Sequence, residues 1–310
     1  MTSLCCKVGT LNLRNPIIMA SGTFAFGAPY AKLYPLDSLG GISTKGLTVE
    51  PRTGNRGTRL IETASGLMNS IGLENPGLSH FLQFELDRMC QYDTAIIVNL
   101  GGGSLEEYEK GASMLQQAAA TRAAEGKRGI DMVELNISCP NVKQGGMQFG
   151  LHTEKAREAV RIVRRITDLP LMIKLSPNAY DLTGMAAMCE EEGADAISLV
   201  NTFLAMSVDL KSRRSSFQQT YAGLSGPAIK PIALRMVHQV CRSTSLPVVG
   251  MGGITTAQDV LEFIMVGASA VQIGTGNFMN PRTGASLAGE VTQLMKKERI
   301  ESLEEIRGVI

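Results

Sequence analysis

The chain has 310 residues, enough for one large α/β domain or two of ordinary size. Its 30 Lys plus Arg against 29 Asp plus Glu give a formal charge of +1, which excludes the basic footprint of a nucleic-acid or anionic-membrane binder. With 44% hydrophobic and 19% charged residues it lies close to the ~45–50% and ~25% of folded soluble domains, and away from disordered chains.

The N-terminus, Met1-Thr-Ser-Leu-Cys-Cys-Lys-Val8, lacks a basic region followed by an apolar core. No run approaches the ~18 apolar residues of a membrane span, so an unprocessed, cytoplasmic protein without membrane contact is expected. From there, short apolar runs bounded by turn residues alternate with longer amphipathic stretches, the pattern of βα units around a parallel sheet. Residues 16–20, 41–44, 95–99, 132–136, 171–175, 196–200, 247–251 and 270–273 read as strands, several of them continuously apolar as strands buried on both faces are. Residues 105–124, 153–166, 182–192, 228–241, 256–266 and 281–297 carry helical periodicity, with Thr153, Asp181 and Thr255 or Thr256 placed as N-caps. The expected fold is a (β/α)8 TIM barrel in a single domain spanning residues 1–310. An open doubly wound sheet is the alternative, but no Gly-x-Gly-x-x-Gly opens a helix after the first strand.

Two stretches interrupt the alternation, residues 49–80 and 203–225, both emerging after strand C-termini and both expected as lids or binding loops over the C-terminal face. The alanine-rich residues 118–129 read as an extension of a peripheral helix. Cys5, Cys6, Cys90, Cys139, Cys189 and Cys241 contain no Cys-x-x-Cys pair, and His80, His152 and His238 have no ligand spacing, so no metal site and a reducing compartment are expected.

Polar residues that end barrel strands point to the catalytic face. Here they are Ser21, Lys45, Asn99, Asn136 with Ser138 and Cys139, Lys174, and Asn201-Thr202, while the last two strands end in Gly252-Gly253 and Gly274-Thr275. Glycine-rich turns after strands seven and eight are where barrels hold phosphate, which implies a phosphorylated ligand. No carboxylate ends a strand, which argues against glycosidase acid–base pairs and magnesium-dependent phosphoryl transfer. The set suits a flat, anionic, hydrogen-bonding ligand beside a phosphate-bearing cofactor. Singly, each residue has a plainer reading: Lys174 a strand-end lysine, Lys45 a surface charge, Asn99 a turn former.

Leu135-Asn-Ile-Ser-Cys-Pro-Asn141, Asn69-Ser-Ile-Gly-Leu-Glu-Asn-Pro-Gly77 and Gly223-Leu-Ser-Gly-Pro-Ala-Ile-Lys-Pro231 resemble the catalytic subunits of dihydroorotate dehydrogenases, cysteine-type (class 1). Ser43-Thr-Lys-Gly46, Ile173-Lys-Leu-Ser-Pro177, Gly250-Met-Gly-Gly-Ile254 and Val271-Gln-Ile-Gly-Thr275 extend the likeness from about Val8 to Met295. The resemblance implies an FMN enzyme, one FMN per chain, that oxidises dihydroorotate to orotate in pyrimidine biosynthesis. It implies Cys139 as the base that removes a ring proton while hydride leaves the neighbouring carbon. It implies Lys45, Asn69, Asn136, Asn141 and Asn201 as substrate contacts, with Ser70, Ile71, Gly72, Leu73 and Thr202 lining the same pocket, Ser70 departing from the usual pattern. For the flavin it implies Ser21, Lys45, Gly46, Asn99, Asn136, Lys174, Val200, Gly226, Gly252, Gly253, Gly274 and Thr275.

Glu50-Pro-Arg-Thr-Gly-Asn55, Glu74-Asn-Pro-Gly77 and Ser225-Gly-Pro-Ala-Ile-Lys230 look most like the NAD-dependent class 1B form, whose electrons pass to a partner subunit carrying FAD and a [2Fe–2S] cluster. This chain has neither a dinucleotide fingerprint nor cluster-type cysteine spacing, so NAD as oxidant implies such a partner, in a heterotetramer around a homodimer core. A fumarate-using homodimer, and a Lys174 Schiff-base aldolase or synthase on the same barrel, are the competing enzyme readings. A barrel kept as a binding scaffold is the non-enzyme reading. The alanine-rich insertion and Met279 are further departures, and Lys211, Arg213 and Arg214 read as a solvated face.

Overall fold

The computed structural model describes residues 2–138 and 149–310. Eight parallel strands, β1 (Ile17–Met19), β2 (Gly41–Ser43), β3 (Ala95–Gly101), β4 (Met132–Asn136), β5 (Leu171–Lys174), β6 (Ala196–Leu199), β7 (Val248–Met251) and β8 (Ala270–Ile273), pair in chain order. The pairing of β8 with β1 closes them into a barrel. All eight coincide with the strands expected from the sequence, most of them unchanged or shorter by one or two residues and the third longer by two. Every residue in them is buried, which is why they read as continuous apolar runs rather than alternating ones.

The helices α1 (Leu105–Ala124), α2 (Thr153–Ile166), α3 (Leu182–Glu191), α4 (Lys230–Cys241), α5 (Ala257–Met265) and α6 (Thr283–Lys297) follow strands three to eight. Each buries one stripe against the barrel, as Ala156, Ala159, Val160 and Val163 do in α2. The alanine-rich stretch does extend α1, to Ala124. Asp181 and Thr256 cap as expected, Asp181 accepting from the Gly184 N–H and Thr256 forming a reciprocal capping box with Asp259. Thr153 does not cap: α2 starts after His152, whose side chain makes no capping bond, so Thr153 is the first helical residue. A helical segment at residues 78–89 with a π-helical turn at Phe81–Glu85, which periodicity had not marked, follows the first excursion.

The two excursions lie over the mouth as expected, and parts of each form strands. Leu60–Thr63 and Gly66–Asn69 form a hairpin in the first, and Phe203–Met206 and Tyr221–Ser225 pair in the second. Gly66–Asn69 then pairs antiparallel with Tyr221–Ser225, giving one four-stranded sheet over the C-terminal mouth. Met68, Phe217 and Ala222 form its small core, packed by Ile61, Ala205 and Leu224. At the opposite end, Cys6–Val8 and Leu11–Leu13 make a hairpin that carries Gly9 against the Asp195 carbonyl, just before β6. Among the described residues no helix is long and apolar enough to cross a membrane.

The capping difference gives a direct check. Thr256→Ala removes the side-chain half of the capping box, in which the hydroxyl accepts from the Asp259 N–H, and leaves the backbone N–H that donates to Asp259 Oδ2; it should lower unfolding free energy by about 1 kcal/mol in urea titrations. Thr153→Ala should stay within about 0.5 kcal/mol of the parent, because its hydroxyl caps nothing.

Candidate active site

Parallel strands deliver their C-terminal residues to one face, and the sequence-expected residues arrive there together. Ser21, Lys45-Gly46, Val200-Asn201-Thr202, Gly252-Gly253 and Gly274-Thr275 follow their strands directly, while Asn99, Asn136 and Lys174 lie within β3, β4 and β5. Asn69 to Leu73 descend from the sheet above, and Gly226 follows its strand Tyr221–Ser225. A Cβ built on Gly46 would lie 2.9 Å from both Asn99 Oδ1 and Leu73 Cδ1 and 3.8 Å from Ser21 Oγ, so these four residues converge. Likewise Thr202 Oγ1 and Asn69 Nδ2 both face Gly223, and the Asn69 amide donates to the Gly223 carbonyl at 3.3 Å. Ser138 joins two more: its hydroxyl donates to Asn136 Oδ1 at 2.6 Å and accepts from the Asn201 amide. Cys139 and Asn141 lie outside the described residues.

The floor of this mouth contains a residue the strand-end reading missed. Glu134, in the middle of β4, is completely buried and points into the barrel lumen. Its Oε2 accepts from Ser43 Oγ at 2.7 Å and Asn99 Nδ2 at 2.6 Å, and its Oε1 from Ser198 Oγ and Gln272 Nε2, both at 2.7 Å. The donors come from β2, β3, β6 and β8, which only a group near the barrel axis can reach. Burial would push this carboxyl up, but the Lys174 ammonium and the hydroxyl and amide donors outweigh it and hold it below the usual range. Four donors match the acceptor capacity of an ionised carboxylate. The signal in the sequence was a lone charge inside the apolar run Met132-Val-Glu-Leu-Asn136, and Ser198 and Gln272 carried the same signal in their strands.

An acceptor-only carboxylate dictates which way the amides face. Asn99 and Gln272 must turn their NH2 groups to Glu134, and their carbonyl oxygens are left buried with no partner among the described residues. Asn99 Oδ1, facing Gly46, is thus an acceptor waiting for a ligand N–H. Lys174 is 5% exposed and sits in register with Asn136, two residues nearer the mouth than Glu134. Lys45, beside Gly22, makes no ion pair among the described residues. Burial pushes its ammonium below the ordinary lysine value; Glu74 opposes this and Arg59 adds to it.

On the opposite wall, Gly252 and Gly253 have φ of +130° and +73°, and a Cβ on Gly253 would sit 2.7 Å from Lys230 Cβ and 2.8 Å from the Gly226 carbonyl. Only glycine fits there, and a glycine turn of this kind can serve as an anion cradle by presenting main-chain N–H groups. Thr275 Oγ1 donates to Ser225 Oγ at 2.8 Å, tying this cradle to the overlying sheet. Four of the other cysteines are poor candidates for chemistry, and Cys5 lies beside the N-terminal hairpin, away from this mouth. Burial pushes the thiols of Cys6, Cys189 and Cys241 up to about 12, and raises that of Cys90. Among the described residues no cluster of His, Cys, Asp or Glu is placed to hold a metal ion.

Comparison with known proteins decides the family. The model of the family described as dihydroorotate dehydrogenase matches residues 3–295. The chain belongs to the dihydroorotate dehydrogenase family. Relatives described as "Dihydroorotate dehydrogenase B (NAD(+)), catalytic subunit" cover nearly their whole lengths and that of this chain. The protein of Petrotoga mobilis is 47% identical over 98% of both chains. That of Oceanobacillus iheyensis is 42% identical over 99% of both, and that of Thermoanaerobacter pseudethanolicus 44% over 97% of both. Dihydroorotate dehydrogenase membership decides against the aldolase, synthase and scaffold readings, and with them a Schiff-base role for Lys174.

The anion cradle has a testable consequence. Gly253→Ala, which forces the turn against backbone, should weaken binding of FMN by at least about tenfold while leaving the far-UV circular dichroism unchanged.

Proposed function

We propose that this chain oxidises dihydroorotate to orotate at the barrel mouth, as the NAD(+)-dependent catalytic subunit of its family, in pyrimidine biosynthesis. The observation that carries the reading is the mouth itself: a partly buried cation at Lys45 with no ion pair among the described residues, amides at Asn69, Asn136 and Asn201, and glycine turns suited to an anion, in a chain of this family. Family membership implies FMN as the resident cofactor, and the residues fit it. The orphaned Asn99 carbonyl supplies an acceptor for a ring N–H, and the Gly226, Gly252, Gly253, Gly274 and Thr275 turns supply N–H groups for a phosphate. Ser21, Gly46, Lys174 and Val200 complete that set, Val200 lying against Gly252. When bound, FMN supplies a two-electron acceptor for hydride.

The chain's own residues do the rest. Lys45 offers its ammonium to the carboxylate of the substrate, and the asparagines offer paired donors and acceptors to the in-plane groups of the dione ring. Ser138 holds the Asn136 carbonyl oxygen and the Asn201 amide in fixed orientation, so both are preorganised. Ser70, Ile71, Gly72, Leu73 and Thr202 close the pocket from above, excluding water once substrate is in place. Cys139 acts as the base that takes the ring proton, and Asn141 contacts the same ring. Burial keeps the thiols of Cys6, Cys189 and Cys241 protonated, and Cys5 lies beside the N-terminal hairpin at the opposite end of the barrel, so none of these competes for that role. A cytoplasmic heterotetramer follows, in which a partner subunit with FAD and a [2Fe–2S] cluster accepts the electrons and passes them to NAD.

Anaerobic mixing of the FMN-loaded chain with dihydroorotate should bleach the flavin, and dihydrouracil, which lacks the carboxylate, should not. Persistent flavin colour with dihydroorotate overturns the reading. Cys139→Ser should retain FMN but slow that bleaching by orders of magnitude at neutral pH. Lys45→Met should weaken orotate binding by roughly 10- to 150-fold, the ~1.5–3 kcal/mol of a charged hydrogen bond. Because burial lowers the Lys45 titration, orotate affinity in the parent should fall with rising pH earlier than an ordinary lysine would dictate, and calorimetric titration across pH checks this.

A further inference from the structure

Glu134 touches neither the substrate pocket nor the anion cradle, and the reaction described above gives it no part. Yet it is a fully buried carboxylate bound by four neutral donors from four strands. Removing an ion from water is expensive, and neutral donors alone offset it only in part, so a fixed cation nearby is needed to complete the balance. Lys174 is that cation, one layer closer to the mouth.

We propose that Glu134 is a positioning residue that sets the electron affinity of the flavin at the barrel mouth, by holding a fixed negative charge beneath Lys174 and by turning the Asn99 carbonyl toward the ligand. The proposal deepens the flavin reading and rests on it. A positive charge beside a flavin favours its anionic reduced form, and a negative charge behind that positive one attenuates the effect. Burial of both side chains lowers the local dielectric and keeps this attenuation large. The same carboxylate fixes the amide orientation of Asn99, since an acceptor-only group cannot tolerate the reverse orientation. The barrel floor thus acts on the cofactor without touching it.

The test is the midpoint potential of the FMN-loaded chain at neutral pH, in the parent, Glu134→Gln and Glu134→Asp. Glu134→Gln removes the negative charge and should shift the reduction equilibrium at least tenfold toward reduced flavin, about 30 mV for a two-electron couple. Glu134→Asp keeps the charge and should stay near the parent value even as its hydrogen bonds readjust. An unchanged or lowered potential in folded, FMN-loaded Glu134→Gln overturns the proposal. So does an equal shift in both variants, which would reflect disturbed packing rather than charge. Should Glu134→Gln fail to fold, infrared spectroscopy of the parent with isotopically labelled glutamate carboxyls decides instead. Ionised carboxylate bands alone support the proposal, and a buried protonated carboxyl band overturns it. A parent chain that takes up no FMN overturns the flavin reading and the inference with it, and is told apart by the missing flavin spectrum.

Discussion

A carboxylate inside a closed barrel is the constraint on which the site is built. Glu134 is completely buried, and four strands each present it a donor at 2.6–2.7 Å. Each donor that serves it is thereby fixed in rotamer and orientation. Ser43, Asn99, Ser198 and Gln272 become a rigid floor, and the strands carrying them acquire a fixed relative height. Removing any one donor would leave part of a buried charge unsatisfied, a loss of about 1–3 kcal/mol or more. The floor is polar in a lumen that hydrophobic layers would normally fill, and that departure marks where function has overridden packing.

What the floor fixes, the mouth uses. Asn99 faces outward because its amide is engaged below, and Lys174 stands one layer up from the carboxylate. Around them the strand ends supply a second cation, amides and glycine turns, each on a different βα unit. The sheet formed by the two excursions roofs the mouth, reaching it through Leu73 against Gly46 and through Asn69 beside Gly223 and Thr202. A flat anionic ring with edge donors and acceptors, stacked beside a phosphate-bearing cofactor, answers to this arrangement of charges and amides. Dihydroorotate and FMN have those properties.

The barrel was legible in the sequence because its strands are buried on both faces, so that apolar runs such as 95–99 and 171–175 stand out against the amphipathic helices between them. The strand-end polar residues were legible for a geometric reason, since parallel strands deliver them all to one face. The roof was not. Gly66–Asn69 and Tyr221–Ser225 are short, glycine-containing and some 150 residues apart, and each becomes a strand only because the other is there to pair with it. Glu134 lies at a strand centre, where polarity does not mark the mouth, although a charge within an apolar barrel strand must be satisfied inside the lumen. Thr153 and His152 show the ordinary one-residue uncertainty of a helix start.

The measurement that bears most directly on this account is a crystal structure of the chain grown with FMN and orotate. The account predicts the phosphate on the main-chain N–H groups of Gly252, Gly253, Gly274 and Thr275, a flavin ring atom donating to Asn99 Oδ1, and the orotate carboxylate within hydrogen-bond distance of Lys45 Nζ. A phosphate bound elsewhere, or orotate seated with its carboxylate away from Lys45, would contradict it.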